Sequence, residues 1–442
     1  MKIKVDSRKI KKGDIFLDLS NHPNYVKDAI KRGAKKVIVK EGTYDGNVQY
    51  VENPRQYFIK YLKRYYYKKI KDLKLIGITG TNGKTTTCFL LYQALNQLGK
   101  KTAYIGTIGF YLNDEKKELR NTTPDIEELY ELLMLCQKEN VEYVVMEVSS
   151  HALDMQRVDS LLYDFVIFTN LTQDHLDYHK TMENYVKCKQ KLFTQGKENC
   201  KYIVNIDDAY KNYFLNDKSI TYGFKNSDYP LKFIKQDFSK TIFSLKKTVY
   251  ETNLLGKYNL YNLGVCILVL KEIGISTRKI KKVVSQLQAP PGRMQRIDYL
   301  ENQIIIDYAH TPDAVENILK TMKELPVHRI ITILGCGGNR DKAKRPIMGD
   351  IAVQYSSQVI FTSDNPRDEN PFSILQDMTK KLTKSNYEII VNRKIAIKKG
   401  IQSLSKNDIL LVLGKGHETY QIIKDKKMYF SDLETVLEIL GR

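Results

Sequence analysis

The sequence lacks the segments that would place it in or across a membrane. No apolar run approaches the roughly 20 residues that a helix needs to span a bilayer. The first residues, MKIKVD, do not have the apolar core of a signal peptide. The six cysteines are scattered without any Cys-x-x-Cys pair, so neither a disulfide framework nor a zinc site is indicated. Internal repeats and low-complexity tracts are also missing. These absences predict a cytoplasmic globular protein without membrane insertion.

Acidic residues are fewer than basic residues, 51 against 71, which gives a formal net charge of +20. Such an excess suits nucleic acid, a membrane surface or an anionic small molecule, and composition does not choose among them. The lysines are spread through the whole chain. The densest basic and aromatic stretch, 60–69, has the pattern of a solvated helix face and linker, with an RNA-contacting patch as the alternative. We therefore expect no nucleic-acid partner.

The chain has 442 residues, enough for two or three domains. Apolar runs typical of buried strands, at 73–78, 143–148 and 164–169, alternate with helical patterns at 85–98 and 124–139. A cluster of breaker residues at 289–292 predicts a hinge. Further strand patterns follow at 304–306, 330–334, 359–361 and 409–413. We predict an α/β fold with three domains, at 1–70, 71–289 and 290–442.

A glycine-rich segment between a predicted strand and a predicted helix has the pattern of a phosphate-binding loop. Its residues are Gly80, Thr81, Asn82, Gly83, Lys84, Thr85 and Thr86. Glycines let backbone N–H groups close around phosphate oxygens, and the helix N-terminus adds its positive end. Lys84 would neutralise charge on a transferring phosphoryl group, and Thr85 would supply a hydroxyl to Mg²⁺. The segment predicts a nucleotide phosphate site, without specifying a reaction.

Four further motifs accompany this loop: MEVSSH at 146–151, NLTQDHLDYH at 170–179, DYAHTP at 307–312 and GKGHE at 414–418. Together, and in this order, they resemble the motifs of the Mur ligase family, and the resemblance covers essentially the whole chain. It implies a small N-terminal UDP-binding α/β domain, a central P-loop ATPase domain with a mostly parallel sheet, and a C-terminal Rossmann-like domain. The chain is most similar to members that add a diamino acid to UDP-N-acetylmuramoyl-L-alanyl-D-glutamate. The expected activity is ATP-dependent amide ligation through an acyl phosphate in peptidoglycan synthesis.

The resemblance implies a catalytic centre with two Mg²⁺ ions. Glu147 and His175 match metal ligands of the family, and the phosphate loop adds the Thr85 hydroxyl. The family also carries a lysine that CO₂ converts to a carbamate, which holds the second ion, and the frame Tyr-x-x-x-Lys-x-x-x-Phe selects Lys189. Without the resemblance, the residue types do not distinguish the lysines at 187, 189 and 191, and the pattern predicts an exposed helix face for all three. The catalytic residues implied by the resemblance are Lys84, His175 and Lys189.

The resemblance also implies which residues contact ATP and which contact the UDP-muramoyl dipeptide. Asn262 matches a residue that meets adenine, and Arg293 one that reaches the ATP phosphates across the hinge. Asp307 and His310 would close the nucleotide site from the last domain. The positions that match contacts to the UDP-muramoyl dipeptide are Ser7, Thr122, Thr123, Ser149 and Arg157.

The amino-acid selector of the family corresponds here to Asp364, Asn365, Pro366 and Arg367. Members with arginine at the last position take meso-diaminopimelate, whose distal carboxylate L-lysine lacks, and a guanidinium pairs bidentately with a carboxylate. The remaining matching contacts are Arg340, Gly414 and Glu418. The alternatives are L-lysine as substrate, a folylpolyglutamate synthase-like ligase, or a non-enzymatic nucleotide-binding or RNA-associated P-loop protein. We expect a monomer.

Overall fold

The computed structural model describes residues 3–113 and 115–442. The N-terminal segment forms a sheet of four parallel strands that pair in sequence order. These strands are β1 (Ile3–Lys4), β2 (Ile15–Leu17), β3 (Lys36–Val39) and β4 (Val48–Tyr50). The helices of this segment are α1 (Pro23–Lys31), α2 (Pro54–Tyr65) and α3 (Tyr67–Ile70). The basic stretch 60–69 lies in α2 and α3 and is mostly exposed, as predicted for a solvated helix face.

The central segment contributes the eleven strands of the largest sheet. They are β5 (Lys74–Thr79), β6 (Thr102–Gly106), β7 (Gly109–Leu112), β8 (Glu115–Lys117), β9 (Tyr143–Glu147), β10 (Tyr163–Phe168), β11 (Gly196–Asn205), β12 (Ser219–Gly223), β13 (Tyr229–Gln236), β14 (Thr241–Leu245) and β15 (Thr248–Thr252). Their order in the sheet is β15-β14-β13-β12-β11-β10-β5-β9-β6-β7-β8. The helices are α4 (Lys84–Gln97), α5 (Ile126–Lys138), α6 (Ser150–Asp154), α7 (Leu176–His179), α8 (Met182–Gln190), α9 (Lys257–Glu272) and α10 (Thr277–Val284).

The C-terminal segment forms a sheet of six strands in the order β16-β17-β21-β18-β19-β20. They are β16 (Gln295–Tyr299), β17 (Asn302–Asp307), β18 (Ile330–Leu334), β19 (Gln358–Phe361), β20 (Tyr387–Ile389) and β21 (Ile409–Leu413). All pair in parallel except β16, which is antiparallel to β17. The helices are α11 (Pro312–Lys323), α12 (Lys344–Tyr355), α13 (Pro371–Thr379), α14 (Arg393–Gln402) and α15 (Asp432–Ile439), and a separate hairpin joins β22 (Tyr420–Ile423) to β23 (Lys426–Tyr429).

Apolar residues cover both faces of this C-terminal sheet. Successive residues of β17 and β21 alternate between two buried clusters, with Ile305 and Leu411 in one and Ile306 and Val412 in the other. A parallel strand buried on both faces needs such a continuous apolar run. The carboxyl ends of β17, β21, β18 and β19 therefore meet at one edge, where open α/β sheets bind ligands.

The predicted α/β class is confirmed, and the predicted strand and helix patterns correspond to β5, β9, β10, α4 and α5 within two residues at each end. The chain forms two compact units. The first extends to Gly77 and also contains Lys100–Val166 and Lys191–Cys200, and the second contains Ile78–Gly99, Ile167–Gln190 and Lys201–Arg442. The domain limits at 70 and 289 remain predictions. Among the described residues, no helix is long and apolar enough to cross a membrane.

Candidate functional site

The predicted phosphate loop connects the end of β5 to the start of α4. Gly83 is the residue before the helix and has a left-handed backbone, with φ of +85°. Gly80 also has a positive φ, +148°, and a Cβ there would overlap the hydroxyl oxygen of Thr169. A glycine is therefore required at position 80, because any side chain would displace the neighbouring strand end.

Side chains and backbone from the end of β10 hold the loop in shape. The Thr81 amide donates to the Asn170 carbonyl at 2.8 Å, and the Asn82 amide donates to Asn170 Oδ1 at 2.8 Å. The Thr169 hydroxyl donates to the Asn82 carbonyl at 2.7 Å. These bonds fix the backbone of the loop against the segment that follows β10.

Two lysine side chains meet at this loop. Lys84 Nζ donates to the carbonyls of Gly80 and Thr81, at 2.9 and 2.8 Å. Lys189 Nζ donates to the same Gly80 carbonyl at 2.7 Å and lies 4.6 Å from the centre of the Tyr185 ring. Burial, followed by repulsion from Lys84, lowers the pKa of Lys189 well below its usual value. Both effects disfavour the charged form of the amine.

The structure separates Lys189 from the two lysines beside it in sequence. The side chain of Lys189 is 1% exposed. Lys187 is 61% exposed and pairs with Glu183, and Lys191 is 50% exposed and pairs with Asp154. Only Lys189 of the three is brought to the phosphate loop.

His175 begins α7 with a left-handed backbone, φ +54°, and its Nε2 lies 3.5 Å from Asp174 Oδ2. Burial would raise the pKa of Asp174, but the charges of His175 and Lys344 outweigh burial and hold it below its usual range. His310 is also part of this cluster. Burial, then Lys344, lowers the pKa of His310 to about 4, so its imidazole is neutral at pH 7.

Glu147 ends β9 with its carboxylate fully buried. Its Oε1 accepts from the Tyr104 hydroxyl at 2.6 Å and from the Thr107 amide at 2.9 Å. Its Oε2 accepts from the Thr107 hydroxyl at 3.0 Å, and that hydroxyl lies 3.1 Å from the Thr122 hydroxyl. The carboxylate orientation is thus fixed by hydrogen bonds, as expected for an outer shell around a metal ligand.

The donor set suits Mg²⁺ rather than a softer metal. In the chain outside residues 1, 2 and 114, no three or more His, Cys, Asp or Glu side chains form a group that could hold an ion. Mg²⁺ does not require such a cage, because it is usually bound by one or two carboxylates, substrate phosphates and water. The buried Thr85 at the start of α4 and the Glu147 carboxylate are oxygen donors of this kind. By its chemistry, each of these donors suits an Mg²⁺ ion that is bound together with a phosphate.

The residues predicted to hold the muramoyl peptide form a connected group. The Thr123 hydroxyl donates to the Glu147 carbonyl at 2.8 Å and accepts from the Ser149 amide at 3.0 Å. Arg157 Nη1 donates to the Thr123 carbonyl at 3.0 Å, and its Nη2 contacts Met155 Sδ at 3.2 Å. Ser7 lies apart from this group, buried in the short 3-10 helix Ser7–Lys9.

Asn262, predicted to contact adenine, lies buried in α9 beside the phosphate-loop helix. Its Oδ1 accepts from the Thr87 hydroxyl at 3.0 Å, and its Nδ2 donates to Asn259 Oδ1 at 3.0 Å. The side-chain amide therefore ties α9 to α4. An amide oxygen can accept two hydrogen bonds and an amide nitrogen can donate two, so Oδ1 can accept one more hydrogen bond and Nδ2 can donate one more.

Arg293, Asp307 and His310 come together at the end of β17. The Arg293 guanidinium stacks 4.5 Å from the centre of the Tyr308 ring. Asp307 is buried, and its two oxygens accept from the amides of Met294 and Ala309, each at 2.7 Å. Burial raises the pKa of Asp307, against the opposing effect of Arg293.

Two contacts that the sequence did not predict connect the phosphate loop region to the C-terminal segment. Asn82 Nδ2 donates to Asp313 Oδ2 at 2.9 Å, and Gln173 Nε2 donates to Asp341 Oδ2 at 3.0 Å. The first pair spans 231 positions in the chain. No local pattern could have indicated it.

The predicted amino-acid selector is the turn after β19. Arg367 has a left-handed backbone, φ +51°, and is held by the hairpin: its amide donates to the Ile422 carbonyl at 3.0 Å, and its carbonyl accepts from the Lys424 amide at 2.8 Å. Arg367 Nη1 donates to the Gly338 carbonyl at 2.8 Å and to the Asn365 carbonyl at 3.4 Å. Neither Arg367 Nε nor Nη2 bonds to any residue in the described part of the chain.

Like charges are paired around this turn. Burial, then the nearby charge of Arg340, lowers the pKa of Arg367. Burial, then the nearby charge of Asp364, raises the pKa of Glu418. Gly414 has φ of +110°, and a Cβ there would lie 2.7 Å from Asp364 Oδ2. Asp364 and Glu418 oppose the fall in the pKa of Arg367, and Lys415 opposes the rise in the pKa of Glu418. The turn thus brings guanidinium groups and carboxylates together, which suits a ligand that carries charges of both signs.

Lys415 is a member of this group that the sequence did not single out. Its side chain is fully buried, and its Nζ donates to Glu418 Oε2 at 3.1 Å and to Asn365 Oδ1 at 3.3 Å. Lysine is seldom buried without a partner. In the sequence, the indication of its role is that it lies within the GKGHE motif.

Known proteins share both the sequence and the fold. Residues 78–270 match the Mur ligase middle domain, and residues 292–416 match the Mur ligase glutamate ligase domain. The chain is 40% identical, over 99% of its length and 94% of the relative, to "UDP-N-acetylmuramoyl-L-alanyl-D-glutamate--2,6-diaminopimelate ligase" of Clostridium tetani. A solved structure of a ligase with the same name is 31% identical, with a TM-score of 0.71 over 99% of this chain and 94% of that one.

A more distant structure supports the fold alone. The MurF ligase of Thermotoga maritima in complex with ADP is 17% identical, with a TM-score of 0.68 over 99% of this chain and 96% of that one. The motifs, the sheet topology and the near-complete coverage at 40% identity agree. The chain therefore belongs to the Mur ligase family.

Proposed function

We propose that the protein is an ATP-dependent ligase that joins meso-2,6-diaminopimelate to UDP-N-acetylmuramoyl-L-alanyl-D-glutamate in peptidoglycan synthesis. The observation that carries this proposal is the charge arrangement around the selector turn. Diaminopimelate has two carboxylates and two amino groups, so its distal end offers one group to the Arg340–Arg367 pair and one to the Asp364–Glu418 pair. Relatives 40% identical to this chain carry the reaction in their names.

In the first step, the side-chain carboxylate of D-glutamate attacks the γ-phosphorus of ATP. The bond to the β,γ-bridging oxygen breaks, ADP leaves and an acyl phosphate forms. Lys84 lies within the loop that surrounds the phosphates, where its ammonium offsets the charge that accumulates on the transferring group. The contacts of Asn82 and Gln173 with Asp313 and Asp341 couple this loop to the segment that binds the amino acid.

In the second step, the unprotonated amine of the amino acid attacks the acyl carbon. The carbon–oxygen bond to phosphate breaks, inorganic phosphate leaves, and the amine loses a proton to solvent as the amide forms. Holding the amine close to the acyl carbon is the main contribution of the selector turn to this step. The net reaction consumes one ATP for each amide bond.

Thr85, Glu147, His175 and a carbamylated Lys189 are the residues that would hold two Mg²⁺ ions. Bound Mg²⁺ supplies positive charge at the phosphate oxygens. The carbamate forms when unprotonated Lys189 Nζ attacks the carbon of CO₂. One N–C bond forms, the π electrons of one C=O bond move to oxygen, and one N–H bond breaks to release a proton to solvent. An anion then stands beside the Lys84 ammonium, so the two side chains attract each other instead of repelling.

The remaining site residues bind the nucleotide and the peptide precursor. Asn262 contacts adenine through the second hydrogen bond that Oδ1 can accept beside Thr87 and the second that Nδ2 can donate beside Asn259. The residues that bind the ATP phosphates and close the nucleotide site are Arg293, Asp307 and His310. The residues that bind the UDP-muramoyl dipeptide are Ser7, Thr122, Thr123, Ser149 and Arg157, where the arginine pairs with a substrate carboxylate.

The proposal includes a monomeric protein that acts in the cytoplasm without nucleic acid, in keeping with ATP and a UDP-linked precursor as substrates. L-Lysine is the alternative amino acid. It would leave the Arg367 guanidinium without a carboxylate partner in a half-buried position. Diaminopimelate is therefore favoured.

The test is product formation by the purified protein with ATP, Mg²⁺, the UDP-muramoyl dipeptide and one amino acid at a time. We expect ADP, phosphate and a product whose mass equals that of the dipeptide precursor plus diaminopimelate minus water. Product with L-lysine alone would replace diaminopimelate with lysine in the proposal. Ligation of glutamate to a folate, with no reaction of the muramoyl precursor, would overturn it in favour of a folylpolyglutamate synthase-like activity.

A further inference from the structure

We propose that Lys415 is a positioning residue for amino-acid ligation, which fixes the Glu418 carboxylate so that one oxygen is left to accept the substrate's ammonium group. This inference rests on the proposed function, because it assigns a role within the same amino-acid site. Lys415 itself does not touch the substrate.

The hydrogen bonds of Glu418 are divided unequally between its two oxygens. Oε2 accepts from Lys415 Nζ at 3.1 Å and from Asn365 Nδ2 at 2.9 Å. Among the described residues, Oε1 has one long contact, with the Tyr308 hydroxyl at 3.5 Å. One oxygen is therefore anchored by two donors, and the other retains most of its accepting capacity.

Lys415 also fixes the residue that completes this anchor. Its Nζ donates to Asn365 Oδ1 at 3.3 Å, and the same oxygen accepts from the Ile422 amide at 2.9 Å. With Oδ1 occupied by two donors, the Asn365 side chain must direct its Nδ2 at Glu418. Lys415 thus sets the orientation of both side chains, one from the selector turn and one from the GKGHE motif.

The charge of Lys415 has a second consequence, because Asp364 and Glu418 repel each other. Burial and Asp364 raise the pKa of Glu418, and Lys415 opposes them. The charged and titratable groups that face Glu418 are Asp364, Lys415, Arg367, Arg393 and Tyr308. The fully buried Lys415 ammonium opposes the rise in the pKa of Glu418, and it bonds Oε2 rather than Oε1.

The experiment compares Lys415→Met, Lys415→Arg and the control Lys398→Met, an exposed lysine on α14, in the full-length protein. Initial rates with diaminopimelate are measured at several pH values, with saturating ATP and precursor. We expect Lys415→Met to raise KM for diaminopimelate on the order of 10- to 100-fold. KM for ATP should stay at the wild-type value.

The pH profile separates positioning from a merely structural effect. Glu418 accepts an ammonium only when ionised, so kcat/KM for diaminopimelate falls as the pH drops through its pKa. Removing the Lys415 charge should move this acidic limb upward by about one to three pH units. Lys415→Arg retains the charge and should keep the limb at its wild-type position, even where its KM is raised.

The inference is overturned if Lys415→Met keeps the wild-type KM and acidic limb, or if the limb moves equally in the Met and Arg variants. Circular dichroism and thermal unfolding check that each variant folds. If Lys415→Met does not fold, Lys415→Gln takes its place, with the same upward shift expected because it also lacks the charge. Failure of the wild-type protein to ligate diaminopimelate would instead count against the proposed function.

Discussion

Replacing Arg367 with alanine should remove most of the activity with diaminopimelate. Its Nη1 is already used by the Gly338 and Asn365 carbonyls, whereas Nε and Nη2 form no bond within the described part of the chain. The edge of the guanidinium that carries these two nitrogens is therefore the one that can pair with the distal carboxylate.

Two charge-assisted hydrogen bonds, at about 1.5 kcal/mol each for a half-buried group, give a loss of about 3 kcal/mol. This corresponds to a decrease of about 100-fold in kcat/KM for diaminopimelate. Arg367→Lys retains the positive charge but lacks the planar guanidinium that pairs bidentately with a carboxylate, so we expect an intermediate decrease in kcat/KM. L-Lysine has no distal carboxylate, so Arg367→Ala should not reduce the activity with it.

The assay is a side-by-side measurement of kcat/KM for diaminopimelate and L-lysine in wild type and variants, by coupled detection of ADP. Arg278→Ala, which removes an exposed arginine on α10, is the matched control. The wild-type protein should prefer diaminopimelate by on the order of 10⁴-fold, because lysine leaves a polar site unpaired. Equal use of the two amino acids by wild type, or unchanged diaminopimelate kinetics in Arg367→Ala, would refute this reasoning.

Three further outcomes are expected. Lys189→Ala should abolish ligation, whereas replacement of Lys187, an exposed residue on the same helix, by alanine should leave full activity. The activity of the wild-type protein should fall in CO₂-depleted buffer and return when bicarbonate is added. Equal loss of activity in the two variants would contradict the carbamate. Lys84→Ala should lose ATP-dependent product formation while its circular dichroism spectrum stays unchanged, and normal turnover would remove its phosphate-loop role. Asp432 accepts two hydrogen bonds from the fully buried Arg393, both at 2.7 Å. Asp432→Asn removes this bidentate pair and should lower the free energy of unfolding, measured by urea titration, by about 3–5 kcal/mol. An unchanged urea midpoint of unfolding would contradict that value.

The strands and the phosphate loop could be predicted because their signals are local. An apolar run such as that of β5, followed by glycines and Lys84, is readable within a dozen residues of sequence. The order of the strands, by contrast, depends on pairings between distant segments. The limits of the domains are equally non-local, because they depend on which segments pack together.

The sequence around the three lysines contains a periodicity that distinguishes them. Tyr185, Cys188, Lys189 and Leu192 are spaced i, i+3, i+4 and i+7, and all four are buried. That spacing marks one face of a helix, and Lys187 lies outside it. The periodicity therefore favours Lys189 without any reference to a family.

Lys415 could not be identified in this way. Its role depends on Asn365, 50 positions earlier, and on the Ile422 amide of a hairpin that follows the GKGHE motif. A buried lysine and an exposed one look alike in sequence. Burial by distant segments is what gives the residue its function.

The central claim, ligation through an acyl phosphate on D-glutamate, is tested most directly with ¹⁸O in the side-chain carboxylate of the UDP-muramoyl dipeptide. Complete turnover with ATP and diaminopimelate should transfer one ¹⁸O atom to the released inorganic phosphate, because the carboxylate oxygen that attacks phosphorus leaves with it. Mass spectrometry of the phosphate and the amide product measures this transfer. Product formation with no ¹⁸O in phosphate, or with the label in AMP, would contradict the account.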